Sequence, residues 1–354
     1  MACNENHKRS NFYMDGQIRM IKNVPITQGA GWQKLQQDLG AESFLVRKSN
    51  YQFLAIKKHT PVGNYLFLPY GPVAGSDQGF LDAISALIDL ARKHHCIFIR
   101  LEPQNPRYKS LLPIGARKVK DVEPAETWVL DLPTVPEDNP LSSQALKSLL
   151  PSRLLRYYKN KEKQGIIIEK SHNPADIRHL VNLQSALATE KGITTFSEDY
   201  LKAELSQDFA TLYLLSRRVT DEGTCPQDTR MVELREGKHP AEPITNQVLA
   251  AGLVFDDNTT RYNLQGAQSA EGKKLHATGI LTIELILDAV RNRQRLFDFW
   301  GIAPEGAPSS HPWAGFTAFK KTFAGREVKY AGTYDLPTDP LRYKLYTFLK
   351  RIKP

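Results

Sequence analysis

"YQFLAIKKHTPVGNYLFLPYGPV", residues 51–73, is a pair of apolar runs around a Thr-Pro-Val-Gly turn, and it predicts a β-hairpin. Directly after it, "SDQGFLDAISALIDLARKHH" sets Phe80, Ile84, Leu87 and Ala91 on one helix face, with Ser76 or Asp77 as the N-cap. "CIFIRLEP" then reads as a short buried strand ending at Glu102. The second half repeats this order. "NQVLAAGLVFDDNTTRYNLQGA", residues 246–267, is a hairpin around Asp-Asp-Asn, followed by the helix "GILTIELILDAVRNRQ" and the strand "RLFDFWGI" carrying Asp298. Hairpin, helix, strand and acidic residue recur with little residue identity, which predicts two related α/β units.

Length agrees with that number, since 354 residues at about 150 per domain make two. The junction is expected in "DLPTVPEDNPLSSQALKSLLPSR", residues 131–153, where prolines and polar residues separate "AETWVLDL" from a basic segment. Residues 12–148, completed by 330–354, are expected to form the first unit and 149–329 the second. Residues 217–247 lack sustained periodicity and are expected to project, with a short strand at "TRMVEL". With 41% hydrophobic and 24% charged residues the composition excludes a largely disordered chain. No apolar run reaches about 18 residues and the N-terminus lacks the apolar core of a signal peptide, so a cytoplasmic protein is expected. Cys3, Cys96 and Cys225 are few, odd in number and far apart, which argues against a disulfide framework or a structural zinc site. No metal site is expected.

Charge points to the partner. Forty-seven Lys and Arg against 38 Asp and Glu leave a net +9, which suits a polyanionic partner or simply a basic, soluble protein. "PSRLLRYYKNKEKQG", residues 151–165, places Arg153, Arg156, Lys159, Lys161 and Lys163 around Tyr157 and Tyr158. Cations neutralise phosphates and aromatic faces stack on bases, so the mixture suits RNA; a solvated amphipathic helix face is the plainer alternative. A second such place is "HPWAGFTAFKKTFAGREVKYAGTYDLP", residues 311–337, where Phe319, Lys320 and Lys321 stand together between aromatic residues and a Gly-containing turn.

These segments, with "YGPV", "IRLEP", "LPSRLLRYYKNKEKQGI" and "FDFWGI", resemble the Fem family, the FemABX-type peptidoglycan aminoacyltransferases, over about residues 31–337. "GFTAFKKTFAGREVKYAGTYDLP" is the most specific part of the likeness. The absent coiled-coil arm matches the short form of the family. The resemblance implies two GNAT-like acyltransferase domains with a groove between them. It also implies transfer of an amino acid from aminoacyl-tRNA to an amino group in the stem peptide of a peptidoglycan precursor. Lys320 and Glu102 then take catalytic positions, and Phe319 and Lys321 lie with Arg153, Arg156 and Lys159 on the tRNA side. Lys34 of "GWQK", Tyr70 of "YGPV" and Tyr262 fall on the acceptor side. Phe196 stands where a relative has a precursor-binding arginine, and Thr333 replaces a glutamate, so the acceptor stays open between a nucleotide-linked and a lipid-linked precursor. A peripheral membrane contact belongs to the lipid-linked case, although no amphipathic anchor in the sequence demands it. Aminoacyl-tRNA is a co-substrate here; no cofactor and no stable protein partner are expected.

The reaction asks little of the protein chemically. An aminoacyl ester is already activated, so aminolysis needs a neutral amine, orientation, and positive charge where the oxyanion develops. Lys320 either supplies that charge or lies with Lys321 on a solvated face, Phe319 either stacks on a base or packs in the core, and Glu102 either accepts a proton or closes a strand end. Two other classes compete: an acyl-CoA-dependent GNAT N-acyltransferase and a non-catalytic RNA-binding protein. The first wants a Gly-rich strand-to-helix turn for the CoA pyrophosphate, and "LQGAQSAEGKKLHATG" has glycines without the Arg/Gln-x-x-Gly-x-Gly/Ala spacing.

Overall fold

The computed structural model describes residues 24–136, 138–191, 195–219 and 245–352. In chain order they form α1 (Ala30–Asp38), β1 (Ser43–Arg47), β2 (Tyr51–Thr60), β3 (Gly63–Leu68), β4 (Val73–Ala74), α2 (Asp77–Lys93), β5 (Cys96–Leu101), β6 (Arg117–Lys118) and β7 (Glu126–Asp131). Next come α3 (Gln144–Leu149), α4 (Ser152–Lys159), β8 (Ile166–Ser171), α5 (Ile177–Lys191), α6 (Glu198–Leu205), β9 (Ala210–Val219), β10 (Thr245–Asp256) and β11 (Thr260–Gln268). The chain continues with α7 (Ala270–Lys274), α8 (Ala277–Arg291), β12 (Leu296–Gly301), α9 (Ala314–Lys320), β13 (Arg326–Lys329), β14 (Tyr334–Pro337) and α10 (Pro340–Ile352). The strand expected at "TRMVEL" lies outside the described residues.

Two sheets result. The first runs β1-β2-β3-β5-β14-β6, with β4 on β2, and the second runs β13-β7-β12-β11-β10-β9-β8. In each, an antiparallel hairpin, β2–β3 or β10–β11, is followed by a helix and by a strand parallel to the hairpin's second member. The order that recurs in the sequence is therefore one supersecondary unit built twice.

Local chemistry explains the helices. Ser76 caps α2, its Oγ accepting from the Gly79 N–H at 3.0 Å, a contact worth about 1 kcal/mol. Asp77 in the first turn and Arg92 and Lys93 in the last complement the helix dipole. Phe80, Ala83, Ile84, Leu87 and Ala91 are buried with Phe53, Leu66, Ile99 and Leu101 of the first sheet. Helix α8 is apolar around most of its circumference because the second sheet packs on one side and α4 on another. Gly279 makes that second approach close, since a Cβ there would stand 2.6 Å from Leu154 Cδ2.

The division of the chain differs from the expected one at β7. Strand β7 precedes the expected boundary at 148, yet it pairs with β12 and β13 in the second sheet, and Leu130 is buried beside Phe297 and Phe323. Its alternating pattern specifies a half-buried strand but not a partner. Helix α1 carries Trp32 and Leu35 into a core that joins Leu54 and Ile56 of the first sheet to Phe255, Leu253 and Leu212 of the second and to α5 and α6. Strand β14 returns to the first sheet between β5 and β6. The two sheets are thus joined by covalent crossings as well as by packing.

Candidate active site

The site forms where strands of the two sheets end. Parallel pairing of β11 with β12 stops at Tyr262 opposite Asp298, although β11 runs on to Gln268. Past Asp298 the β12–β7 register is also irregular, between Asp298 and Gly301, and Trp300 there has φ 62°. This left-handed residue turns its indole to meet Tyr70, which has φ 54° just after β3 of the first sheet. The Tyr70 and Trp300 rings meet edge-on with centroids 5.3 Å apart. Tyr330 meets Tyr70 at 5.2 Å and Tyr262 meets Trp300 at 5.9 Å, so one aromatic cluster spans the two halves. The Tyr70 hydroxyl donates to Pro124 O at 3.0 Å, and that of Tyr262 to Asp257 at 2.8 Å. Burial raises both phenols well above the ordinary tyrosine range. A pocket of about 190 Å³ lies beside the cluster, lined in part by Tyr262, Asp298, Arg326 and Tyr330.

At the Trp300 backbone, Asp298 and Lys320 carry the two most useful charges. Asp298 is buried; it accepts from the Thr127 hydroxyl and from the Trp300 N–H at 2.7 Å. Burial pushes its carboxyl up to about 6, against the opposing pull of those hydrogen bonds and of the Lys320 charge. Lys320, the last residue of α9, reaches back to donate to Gly301 O at 2.6 Å and Trp300 O at 3.4 Å. Its desolvation lowers the ammonium to about 8, and Asp298 opposes that fall. An ammonium has three donors and two are engaged here, so one proton is left for a guest.

Glu102 holds the corresponding place after β5. Its Oε1 accepts from the Thr333 hydroxyl at 2.5 Å, the Glu123 N–H at 3.0 Å and the Val122 N–H at 3.2 Å. Its Oε2 is buried without a hydrogen-bond partner among the described residues. Burial raises its pKa, and the hydrogen bonds pull the other way. Glu123 is pushed up to about 7, first by burial and then by the Glu102 charge. Thr333, in place of the relative's glutamate, is therefore a partner of Glu102.

Of the residues chosen from sequence, Lys320, Tyr70 and Tyr262 come together around Trp300, and Glu102, whose N–H donates to Gly71 O at 3.0 Å, adjoins Tyr70; the remaining ones have other partners. Lys34 is exposed on α1 and bonds to Asp38 at 2.9 Å and Gln207 at 3.4 Å. Lys321, one residue after Lys320, pairs with Glu327 at 3.2 Å and lies over the Trp128 ring at 5.5 Å. Phe319 packs against the second core, edge-on to Phe323 at 5.6 Å, so of its two readings the structure shows packing. Phe196 is exposed and stacks on Tyr200. On α4, Arg153, Arg156 and Lys159 are exposed while Leu154 and Tyr158 face α8. Both arginines flank Tyr157 at 5.8 Å, and Tyr157 stacks on His276 at 4.3 Å. Asp298, Thr127, Trp300 and Tyr330 escaped selection as site residues. The signal available for Asp298 was the repeat itself, which sets it opposite Glu102.

Among the described residues, no group of three or more His, Cys, Asp or Glu side chains is placed to hold a metal ion, and no helix is long and apolar enough to cross a membrane. The fold is α/β, two sheets each built on the same hairpin-helix-strand unit, with the site at the ends of their strands. The sequence model of the FemAB family matches residues 218–351. The crystal structure of FemX superposes with a TM-score of 0.71 at 15% identity, covering 93% of this chain and 96% of that one. The family match covers less than half of this chain. The C-terminal domain of a putative lysylphosphatidylglycerol synthetase from Agrobacterium fabrum follows at TM-score 0.54 and 13% identity, covering 91% of each chain. L-PGS from Bacillus licheniformis gives 0.50 at 14% identity, covering 94% of this chain and 98% of that one. At such identities the structural likeness shows the fold. No curated protein sequence matches this one.

Proposed function

We propose that this protein transfers an amino acid from aminoacyl-tRNA to an amino group in the stem peptide of a peptidoglycan precursor. The observation that carries the reading is Lys320, half-buried at the Trp300 backbone beside Asp298, in a segment that the FemAB family model matches. In the reaction the neutral acceptor amine attacks the ester carbonyl, the C–N bond forms, and the C–O bond to the tRNA ribose breaks. The proton lost by nitrogen ends on the departing ribose hydroxyl. Lys320 supplies positive charge to the transient oxyanion, through the donor that Gly301 and Trp300 leave unused. Asp298 keeps that lysine charged near neutral pH. Glu102 offers its unpaired Oε2 to the incoming ammonium or its proton. The exposed Arg153, Arg156 and Lys159 face of α4 provides the phosphate contacts of the acceptor stem.

The acyl-CoA alternative meets an obstacle. It would use amides at the start of α8, and Leu154 of α4 already sits on Gly279 in that first turn. Binding of RNA without catalysis would leave Lys320 and Asp298 without a task. Supplying the protein separately with charged tRNA, uncharged tRNA and acetyl-CoA, each with a stem-peptide precursor or with phosphatidylglycerol as acceptor, tests the reading. Product is expected from charged tRNA and precursor alone. Acetylated product, or aminoacyl lipid in place of aminoacyl precursor, would overturn the donor or the acceptor assignment respectively.

A further inference from the structure

Helix α10, "PLRYKLYTFLKRI", packs on the first sheet by one side only. Tyr343 is buried and Tyr346 half-buried against Phe98, Tyr65 and Val62, and the Tyr343 hydroxyl donates to Asp335 at 3.0 Å. Asp335 in turn holds the buried Arg100 through two bonds of 2.7 Å, so this attachment is firm. Away from it, Leu341, Leu345, Phe348, Leu349 and Ile352 are all exposed, Leu341 by 79%, Phe348 by 59% and Ile352 by 60%. Their spacing of i, i+4, i+7, i+8 and i+11 confines them to an arc of about 100° along the helix. An apolar stripe of this kind normally faces a core, and here the core side belongs to the tyrosines.

The flanks say what covers it. Arg342 lies beyond one edge of the stripe and Lys344 and Arg351 beyond the other, all exposed, and the helix contains no Asp or Glu. Arg342 stands 3.6 Å from Asp339 just before the helix, whereas Lys344 and Arg351 have no acidic partner among the described residues. An apolar strip bordered by cations on both sides, on a helix already fixed to a folded domain, complements a surface with anionic head groups above an apolar layer. We infer that α10 is a docking face for an anionic lipid surface, in which the helix lies in the plane of the interface, with Leu345 and Phe348 entering the acyl boundary and Lys344 and Arg351 at the head groups. This goes beyond the acyl-transfer reading and stands apart from it, since lipid binding needs neither substrate.

The test is co-sedimentation of the full chain with vesicles of equal parts phosphatidylglycerol and phosphatidylcholine, and with phosphatidylcholine vesicles alone. The chain is expected to partition onto the first and to leave it as salt rises. The Leu345→Ser/Phe348→Ser pair alters exposed positions and should lower partitioning by about tenfold or more. The Lys344→Gln/Arg351→Gln pair should lower it by about fivefold per charge removed. Equal binding to both vesicle types, wild-type protein left in the supernatant, or unchanged partitioning of either variant would overturn the assignment. Sedimentation velocity covers the remaining case: if the Ser variant turns a dimer into a monomer and lipid binding is absent, a second copy covers the stripe and the lipid assignment falls.

Discussion

Replacing Lys320 by Met leaves an unbranched side chain one heavy atom shorter and removes its charge, which largely separates packing from electrostatics. Two effects follow from the geometry. Gly301 O and Trp300 O lose the ammonium that now meets them at 2.6 and 3.4 Å, a stability cost of about 1–3 kcal/mol. The oxyanion loses its cation, which should lower kcat by about two to three orders of magnitude, or about 2.7–4 kcal/mol of transition-state stabilisation. Asp298, raised by burial and deprived of its countercharge, should move above about 6. The assay is single-turnover transfer from charged tRNA at saturating precursor, with thermal denaturation of the same samples to show that the fold survives. A kcat within threefold of wild type in a folded variant would refute the role given to Lys320.

Other expectations follow from the same structure. Transfer should rise with pH as Asp298 ionises at about 6 and fall as Lys320 loses its proton at about 8; a rate still climbing at pH 9 would contradict a charged lysine as the working form. Arg153→Gln, Arg156→Gln and Lys159→Gln together should weaken charged-tRNA binding and flatten log affinity against log salt by about 0.9 or less in slope for each phosphate no longer neutralised, an unchanged slope marking α4 as a plain solvated face. Lys34→Ala should raise the acceptor KM by no more than about fivefold, because Asp38 already shares its charge on an exposed surface; a rise in the tRNA KM alone would move Lys34 to the other substrate. Gly279→Ala should destabilise the protein by about 1–3 kcal/mol in urea denaturation by driving a methyl into Leu154, and Leu154→Ala in the same chain should recover part of the loss; a neutral Gly279→Ala would mean that α4 is free to move away.

The elements that were legible in the sequence are those whose signals are local. The turn at 60–63, the Ser76 cap and the apolar face of α2 each specify their own geometry, and the second hairpin, helix and strand do the same. Choice of sheet is not local. "AETWVLDL" alternates as a strand should, but its neighbours β12 and β13 come from residues about 170 and 200 positions away. Burial was likewise hidden at Lys320 and Lys321, adjacent in sequence, of which one turns inward to backbone carbonyls and the other outward to Glu327. The left-handed conformations of Tyr70 and Trp300, which bring the rings together, leave no mark in composition because neither residue favours them. The Lys34–Asp38 pair could have been read from its i, i+4 spacing. The stripe on α10 stands in a sequence where no amphipathic anchor was expected, and only the packing of Tyr343 and Tyr346 shows that it faces outward.

Under the proposed function, the ester of a charged tRNA is consumed by amide formation at this site. Single-turnover transfer with a labelled amino acid on the tRNA, followed by mass analysis of the precursor, measures it directly. One amide-linked amino acid should appear in the stem peptide for each tRNA deacylated, at a rate that Lys320→Met lowers by about a hundredfold or more. Deacylation that yields only free amino acid, or charged tRNA left intact while precursor is present, would contradict it.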